Sequence, residues 1–180
     1  GPGLASSLLV GLSAAKGLSL SRTIPLVLIN HLRAHVYSPF LAPEAPAMET
    51  VCPCVALVVS GGHTCLVRVE SPSRLRLIGQ TIDDAAGEAF DKGANLLGLG
   101  YPGGPIMDKL GALGNPGAVR FPRGRARKTP GWIDGMRSEL CFSFSGVKTA
   151  LLYHLREQPV AEGDSDRLHD VVAAYQEAIV

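Results

Sequence analysis

The chain has 180 residues, 46% of them hydrophobic, with a net charge of +1. That suits one globular domain or a little more and excludes a uniformly basic surface, so any nucleic-acid patch must be local. No apolar run reaches the ~18 residues of a membrane-spanning helix. Cys52, Cys54, Cys65 and Cys141 form no CxxC pair, so reduced thiols of a cytoplasmic protein are expected rather than zinc knuckles or disulfides.

In chain order, 1–3 (Gly-Pro-Gly) is expected to turn. Leu4, Leu8, Leu12 and Ala15 recur at helical spacing, predicting an amphipathic helix over 4–20 with small residues that allow close packing on a sheet. Residues 24–29 read as a short buried strand with Pro25 near its edge. Asn30 and His31 open a second helix, ended by Pro39, Pro43 and Pro46, which make a linker through about residue 51. Two apolar runs, 54–60 and 64–70, flank Ser60-Gly61-Gly62-His63 and read as a β-hairpin, its glycines free to adopt positive φ and approach a ligand. A third strand is expected at 75–78 and helices at 85–97 and 106–113, parted by a Gly/Pro-rich stretch. A long loop follows from 114 to 138, then helices marked by Val147, Leu151 and Leu155 and by Leu168, Val172 and Tyr175. Strands alternating with helices predict an α/β protein in two parts, joined near 40–52. Neither a GxxxxGK[ST] P-loop nor a GxGxxG fingerprint is present.

Several stretches carry residues suited to chemistry. His31 and His35, one helical turn apart, can face one metal ion, and neutral imidazole suits iron or zinc. The serine and glycines of 60–62 can point N–H groups and a hydroxyl at a phosphate. Asp83 and Asp84 are placed to cap the helix that follows them. Glu88 and Asp91 share one face of that helix and can take ribose hydroxyls or a cation. The glycines of 103–104 precede a helix carrying Asp108, which suits an anion or sugar. Ser143 and Ser145 open another helix, where their hydroxyls, the N–H groups and Lys148 can face a nucleotide, the alternative being a plain helix start with Ser145 as its cap. Arg120, Arg123, Arg125, Arg127, Lys128 and Arg137, with Phe121 and Trp132 among them and Asp134 the one acid from 120 to 137, suit phosphate contacts and base stacking.

Taken in order, Gly1-Pro2-Gly3-Leu4, Asn30-His31 with His35, Val59-Ser60-Gly61-Gly62-His63-Thr64, the acidic stretch 83–92, Tyr101-Pro102-Gly103-Gly104-Pro105 and the serine turn 143–149 resemble the tRNA adenosine threonylcarbamoyltransferase family, bacterial type, once called O-sialoglycoprotein endopeptidases. The resemblance spans nearly the whole chain. It implies an actin/sugar-kinase/Hsp70-like α/β fold of two lobes. Residues 1–45 would be the end of the first lobe and 46–180 the incomplete substrate wall of the second. It implies transfer of a threonylcarbamoyl group from threonylcarbamoyl-adenylate to a tRNA adenosine beside the anticodon, releasing AMP. It also implies one divalent metal, iron or zinc, on His31 and His35, and substrate contacts from Val58, Val59, Ser60, Gly61, Gly62, Asp91, Gly104 and Asp108. Partner subunits, including a paralogue of the same fold, are implied too, and no membrane. Where the family commonly has Glu-Gly between its histidines, Arg33-Ala34 stand here. A non-catalytic scaffold of this fold and a small-molecule kinase of the same superfold are the alternatives. The chain starts without methionine and stops at Val180 within a helical pattern, so it is expected to be an internal piece, inactive alone, with the family's third metal ligand outside it.

Overall fold

A computed structural model describes residues 5–126 and 131–180. The turn expected at 1–3 therefore lies outside the described residues, as do Leu4, Arg127 and Lys128. The elements are α1 (Ala5–Arg22), α2 (His31–Tyr37), α3 (Met48–Val51), β1 (Cys54–Val59), β2 (Thr64–Ser71), β3 (Arg74–Gln80), α4 (Ala86–Leu96), α5 (Gly103–Gly111), β4 (Trp132–Ile133), β5 (Met136–Arg137), α6 (Ser145–Glu157) and α7 (Ser165–Ile179). The sheet order is β1-β2-β3, and β4 pairs with β5 antiparallel. The chain is thus the expected mixture of helix and sheet. It divides into two compact units, residues 1–56 with 69–75, and residues 57–68 with 76–180.

In the first unit α1 forms as its spacing predicts, but it buries no residue among those described. Leu8, Leu12 and Leu18 are exposed along the expected face and Leu9, Val10 and Leu20 off it, so the helix carries apolar groups nearly all round rather than one stripe. Residues 24–29 form no strand, and Ile24, Leu26, Val27, Leu28 and Ile29 are exposed. The expected buried strand is corrected here. A strand exists only where a neighbouring strand takes its N–H and C=O groups; among the described residues none pairs with 24–29, and Ile24 bonds back to Ser19 of α1 instead. After α2 the prolines stop the α-helix as expected. The stretch read as linker is not structureless, because it holds a short 3-10 turn (Ser38–Leu41) and α3. Tyr37 donates its hydroxyl to the Pro72 carbonyl, and Arg33 Nη2 donates to Ser73 O at 3.0 Å. These two bonds tie α2 to the β2–β3 turn.

The second unit holds the main core. Val147 and Leu151 of α6, Val171, Val172 and Tyr175 of α7, Ala94 of α4 and Met107 of α5 are all essentially inaccessible. Each helix supplies the face its 3.6-residue period predicts. Tyr175 sits at the centre. Its hydroxyl donates to Ala89 O at 2.9 Å, and its ring meets Phe121 edge-on at 6.0 Å. Gly93 makes room for it, since a Cβ there would stand 2.4 Å from the tyrosine ring. Burial, with Asp84's charge adding, pushes the Tyr175 phenol well above its usual value, so it is un-ionised and can donate. Among the described residues no helix is long and apolar enough to cross a membrane, and all four cysteines are free.

Candidate functional site

The turn between β1 and β2 is closed by Ser60 N donating to His63 O at 2.8 Å and by His63 N donating to Ser60 Oγ at 3.1 Å. Neither Gly61 nor Gly62 uses the positive φ open to a glycine. Their lack of a side chain matters differently, because a Cβ at either would meet nothing within 4 Å. The turn presents bare backbone to open space. The glycine that sterics demand is Gly87, in the first turn of α4. A Cβ there would stand 2.7 Å from Gly61 Cα and 2.8 Å from Ser60 O, and Gly87 N donates to Ser60 O at 3.3 Å. The turn therefore rests directly on the N-terminal end of α4, whose partial positive charge favours an anion. Val58 is buried just before the turn and anchors it, while Val59 is exposed.

The capping of α4 differs from expectation. Its N-cap is Ala85, with no side-chain bond. Thr64, at the start of β2 and 3% exposed, accepts Ala86 N on Oγ1 at 2.8 Å instead. Asp83 reaches across 60 residues to the start of α6. Its Oδ2 accepts Ser143 Oγ at 2.6 Å and Ser145 Oγ at 2.8 Å, and its Oδ1 accepts Phe144 N at 2.8 Å. Ser145 is accordingly not the cap of α6; the N-cap is Phe144 and the capping oxygen is borrowed. Both serine hydroxyls are occupied by Asp83 rather than presented to a ligand. Asp84 pairs with Lys92 Nζ at 2.6 Å, and Glu88 pairs with the same ammonium at 2.7 Å.

Partial burial opposes ionisation of Asp83, but the bonds from Ser143, Phe144 and Ser145 outweigh it and hold the carboxyl below its usual range. A lowered folded-state pKa contributes stability that is present above the unfolded value of about 3.9 and is lost as pH falls through the folded value. Asp83→Asn is expected to flatten the acid limb of a thermal-melting profile below about pH 4. Asp83→Ala should cost about 1 kcal/mol near neutrality, as for a lost helix cap. An acid limb identical to the parent's would refute the assignment.

Asp91 and Asp108 flank the start of α5. Asp91 Oδ1 accepts Gly103 N at 2.8 Å, so this carboxylate caps α5 across the cis Tyr101–Pro102 bond. The helix begins at Gly103, earlier than expected, with Pro105 tolerated in its first turn. A Cβ at Gly104 would meet nothing within 4 Å. Asp108 is exposed, with Oδ1 accepting Gln176 Nε2 at 3.1 Å. Thus 58–62, Asp91, Gly104 and Asp108 all belong to the second unit, two of them open backbone and two of them carboxylates with one oxygen already engaged. Sequence reading missed Thr64, Gly87 and Gln176, whose partners lie many residues away and leave no local signal.

In the first unit Asn30 caps α2 by accepting Arg33 N at 3.2 Å. The i,i+4 spacing brings His35 Nε2 to 2.9 Å from His31 Nε2, with ring centroids 4.4 Å apart. Two imidazole nitrogens bonded to one ion at ~2.0–2.1 Å lie about 3 Å apart, so the pair fits a shared metal. Among the described residues no group of three or more His, Cys, Asp or Glu side chains completes such a site.

The basic loop is less free than its composition suggests. Phe121 is buried and packs on Tyr175 and His154, so it is core rather than a stacking platform. Arg123 Nη2 pairs with Glu177 of α7 at 2.5 Å, and Arg137 with Glu139 at 3.5 Å. Arg120, Arg125 and Trp132 are exposed, and β4–β5 form a small ribbon within the stretch read as loop.

An α/β unit that sets a bare serine-glycine turn on a helix N-terminus, with two carboxylates beside a second helix start, has the geometry that suits an anion and neighbouring hydroxyls. The TsaD family profile, tRNA N6-adenosine threonylcarbamoyltransferase, matches residues 1–180. Curated relatives described as tRNA N6-adenosine threonylcarbamoyltransferase come from Syntrophotalea carbinolica, 49% identical over 100% of this chain, Anaeromyxobacter dehalogenans, 51% over 100%, and Magnetococcus marinus, 52% over 99%. The chain covers 48%, 49% and 48% of those relatives, about half their length. The chain belongs to the tRNA N6-adenosine threonylcarbamoyltransferase family.

Proposed function

We propose that the full-length protein transfers the threonylcarbamoyl group from threonylcarbamoyl-adenylate to the exocyclic amine of the tRNA adenosine next to the anticodon, releasing AMP. Family membership over the whole chain carries this reading, and the open turn at 60–62 supports it. The amine nitrogen bonds to the carbamoyl carbon and the carbon–oxygen bond to phosphate breaks. AMP leaves with that electron pair, and the amine gives up one proton to solvent. The N–H groups of Gly61 and Gly62, aided by the end of α4, hold the leaving phosphate and stabilise its charge, while the Ser60 N–H closes the turn on His63 O. Val58 and Val59 fix the strand that delivers the turn. Gly104 lets the ligand approach α5, and Asp91 and Asp108 accept hydroxyl hydrogens with their remaining oxygens. His31 and His35 would hold one divalent iron or zinc ion, which when bound supplies Lewis-acid polarisation of a substrate oxygen.

The reading includes a two-lobed actin/sugar-kinase-like fold, residues 1–45 in the first lobe and 46–180 in the second, and cytoplasmic action with partner subunits that include a paralogue of the same fold. Residues 1–180 by themselves are inactive on this reading. The test is mass analysis of tRNA nucleosides after incubating full-length protein, its partner subunits and threonylcarbamoyl-adenylate. Threonylcarbamoyladenosine is expected. Its absence, or phosphate transfer to a small acceptor instead, overturns the reading.

His31→Ala with His35→Ala is expected to strip the metal from the full-length protein, read by elemental analysis. Unchanged metal content would remove both histidines from the site. For tRNA, Arg120→Ala with Arg125→Ala should lower the slope of log K against log[salt] by about 1.4–1.8 if both residues contact phosphates. Trp132→Ala should weaken binding without changing that slope. A parental slope in the double variant would put tRNA elsewhere.

A further inference from the structure

Asp108 is oriented by a residue 68 positions further along the chain: its Oδ1 accepts Gln176 Nε2 from α7 at 3.1 Å. The glutamine lies over Gly111, where a Cβ would stand 2.5 Å from Gln176 Oε1. Asp108, Gly111 and Gln176 line a surface cavity of about 240 Å³, which Pro116 and Glu177 also border. Gln176 Oε1 is shut off from solvent and accepts no hydrogen bond among the described residues. Exchanging the amide's nitrogen and oxygen would set oxygen against carboxylate, so the orientation is decided by Asp108.

A buried carbonyl oxygen without a donor is destabilising. An apolar side chain of similar length would fill the space over Gly111 without that cost. What the amide alone provides there is a donor for Asp108. We infer that Gln176 is a positioning residue: it holds the Asp108 carboxylate at the cavity, with Oδ2 left to accept a hydroxyl of the nucleotide. The inference rests on the reading of Asp108 as a substrate-binding residue.

The test is calorimetric AMP binding to the full-length protein, with thermal melting as the folding control. Gln176→Leu keeps the bulk and removes the donor, and should weaken AMP about tenfold, the scale of one hydrogen bond to a charged group. Gln176→Glu keeps the shape but sets an anion against Asp108, and should weaken AMP further. A packing role alone predicts the opposite order, because glutamate is the closer isostere. In an Asp108→Ala background Gln176→Leu should have no further effect, since coupled residues are non-additive. Additive losses, or parental affinity in Gln176→Leu while Asp108→Ala binds weakly, overturn the inference and leave the substrate role of Asp108 standing. Parental affinity in Asp108→Ala overturns that role and the inference with it.

Discussion

Gly87→Val in the full-length protein is expected to weaken AMP binding by about tenfold or more, the scale of losing at least one hydrogen bond to a charged phosphate. The reason is steric and lies in backbone. A Cβ at position 87 would stand 2.7 Å from Gly61 Cα and 2.8 Å from Ser60 O, and neither atom belongs to a side chain that can swing aside. The turn must lift off the α4 N-terminus, and the Gly87 N–H to Ser60 O bond, 3.3 Å long, is lost with it. Gly61→Val is the informative partner. Its side chain would enter open space, so the fold should melt at the parental temperature while AMP binding falls, because the space it enters is the space a phosphate needs. Calorimetry and melting on the two variants separate a displaced turn from a blocked one. Parental affinity in both would remove the turn from the ligand site.

Tyr175→Ala should lose about 3–5 kcal/mol, the range for deleting a buried aromatic ring. Total stability is commonly about 5–15 kcal/mol, so this variant is expected to unfold at much lower urea or not to accumulate folded at all. Tyr175 is fully inaccessible and packs on Phe121 and Gly93. Tyr175→Phe keeps the ring and loses only the bond to Ala89 O, which should cost about 1 kcal/mol. Urea midpoints for the three proteins check the ordering. A Phe variant as unstable as the Ala variant would mean that the hydroxyl, and not the packed ring, holds the centre of the core.

Periodicity and turn chemistry were enough to place β1–β3, α4, α6 and α7, because those signals reside in neighbouring residues. The i,i+4 histidines also met as expected, since helix geometry alone sets their separation. Apolar pattern, however, states which residues favour burial, not whether a covering surface exists. Residues 24–29 and α1 show the difference, being apolar and exposed. Phe121 errs the other way: it reads as a stacking residue among arginines and lies in the core.

By itself, the sequence determined the mixed α/β character, the serine-glycine turn, the histidine pair and the family resemblance, all of which depend on residues close in the chain or on motif order. Only the tertiary structure decided which carboxylate caps which helix. Asp83 serves α6 rather than its own α4, Thr64 takes over at α4, Gly87 supports the turn and Gln176 holds Asp108. A helix N–H needs an acceptor within about 3 Å wherever in the chain that acceptor comes from, and which group stands there is settled by packing, not by sequence distance.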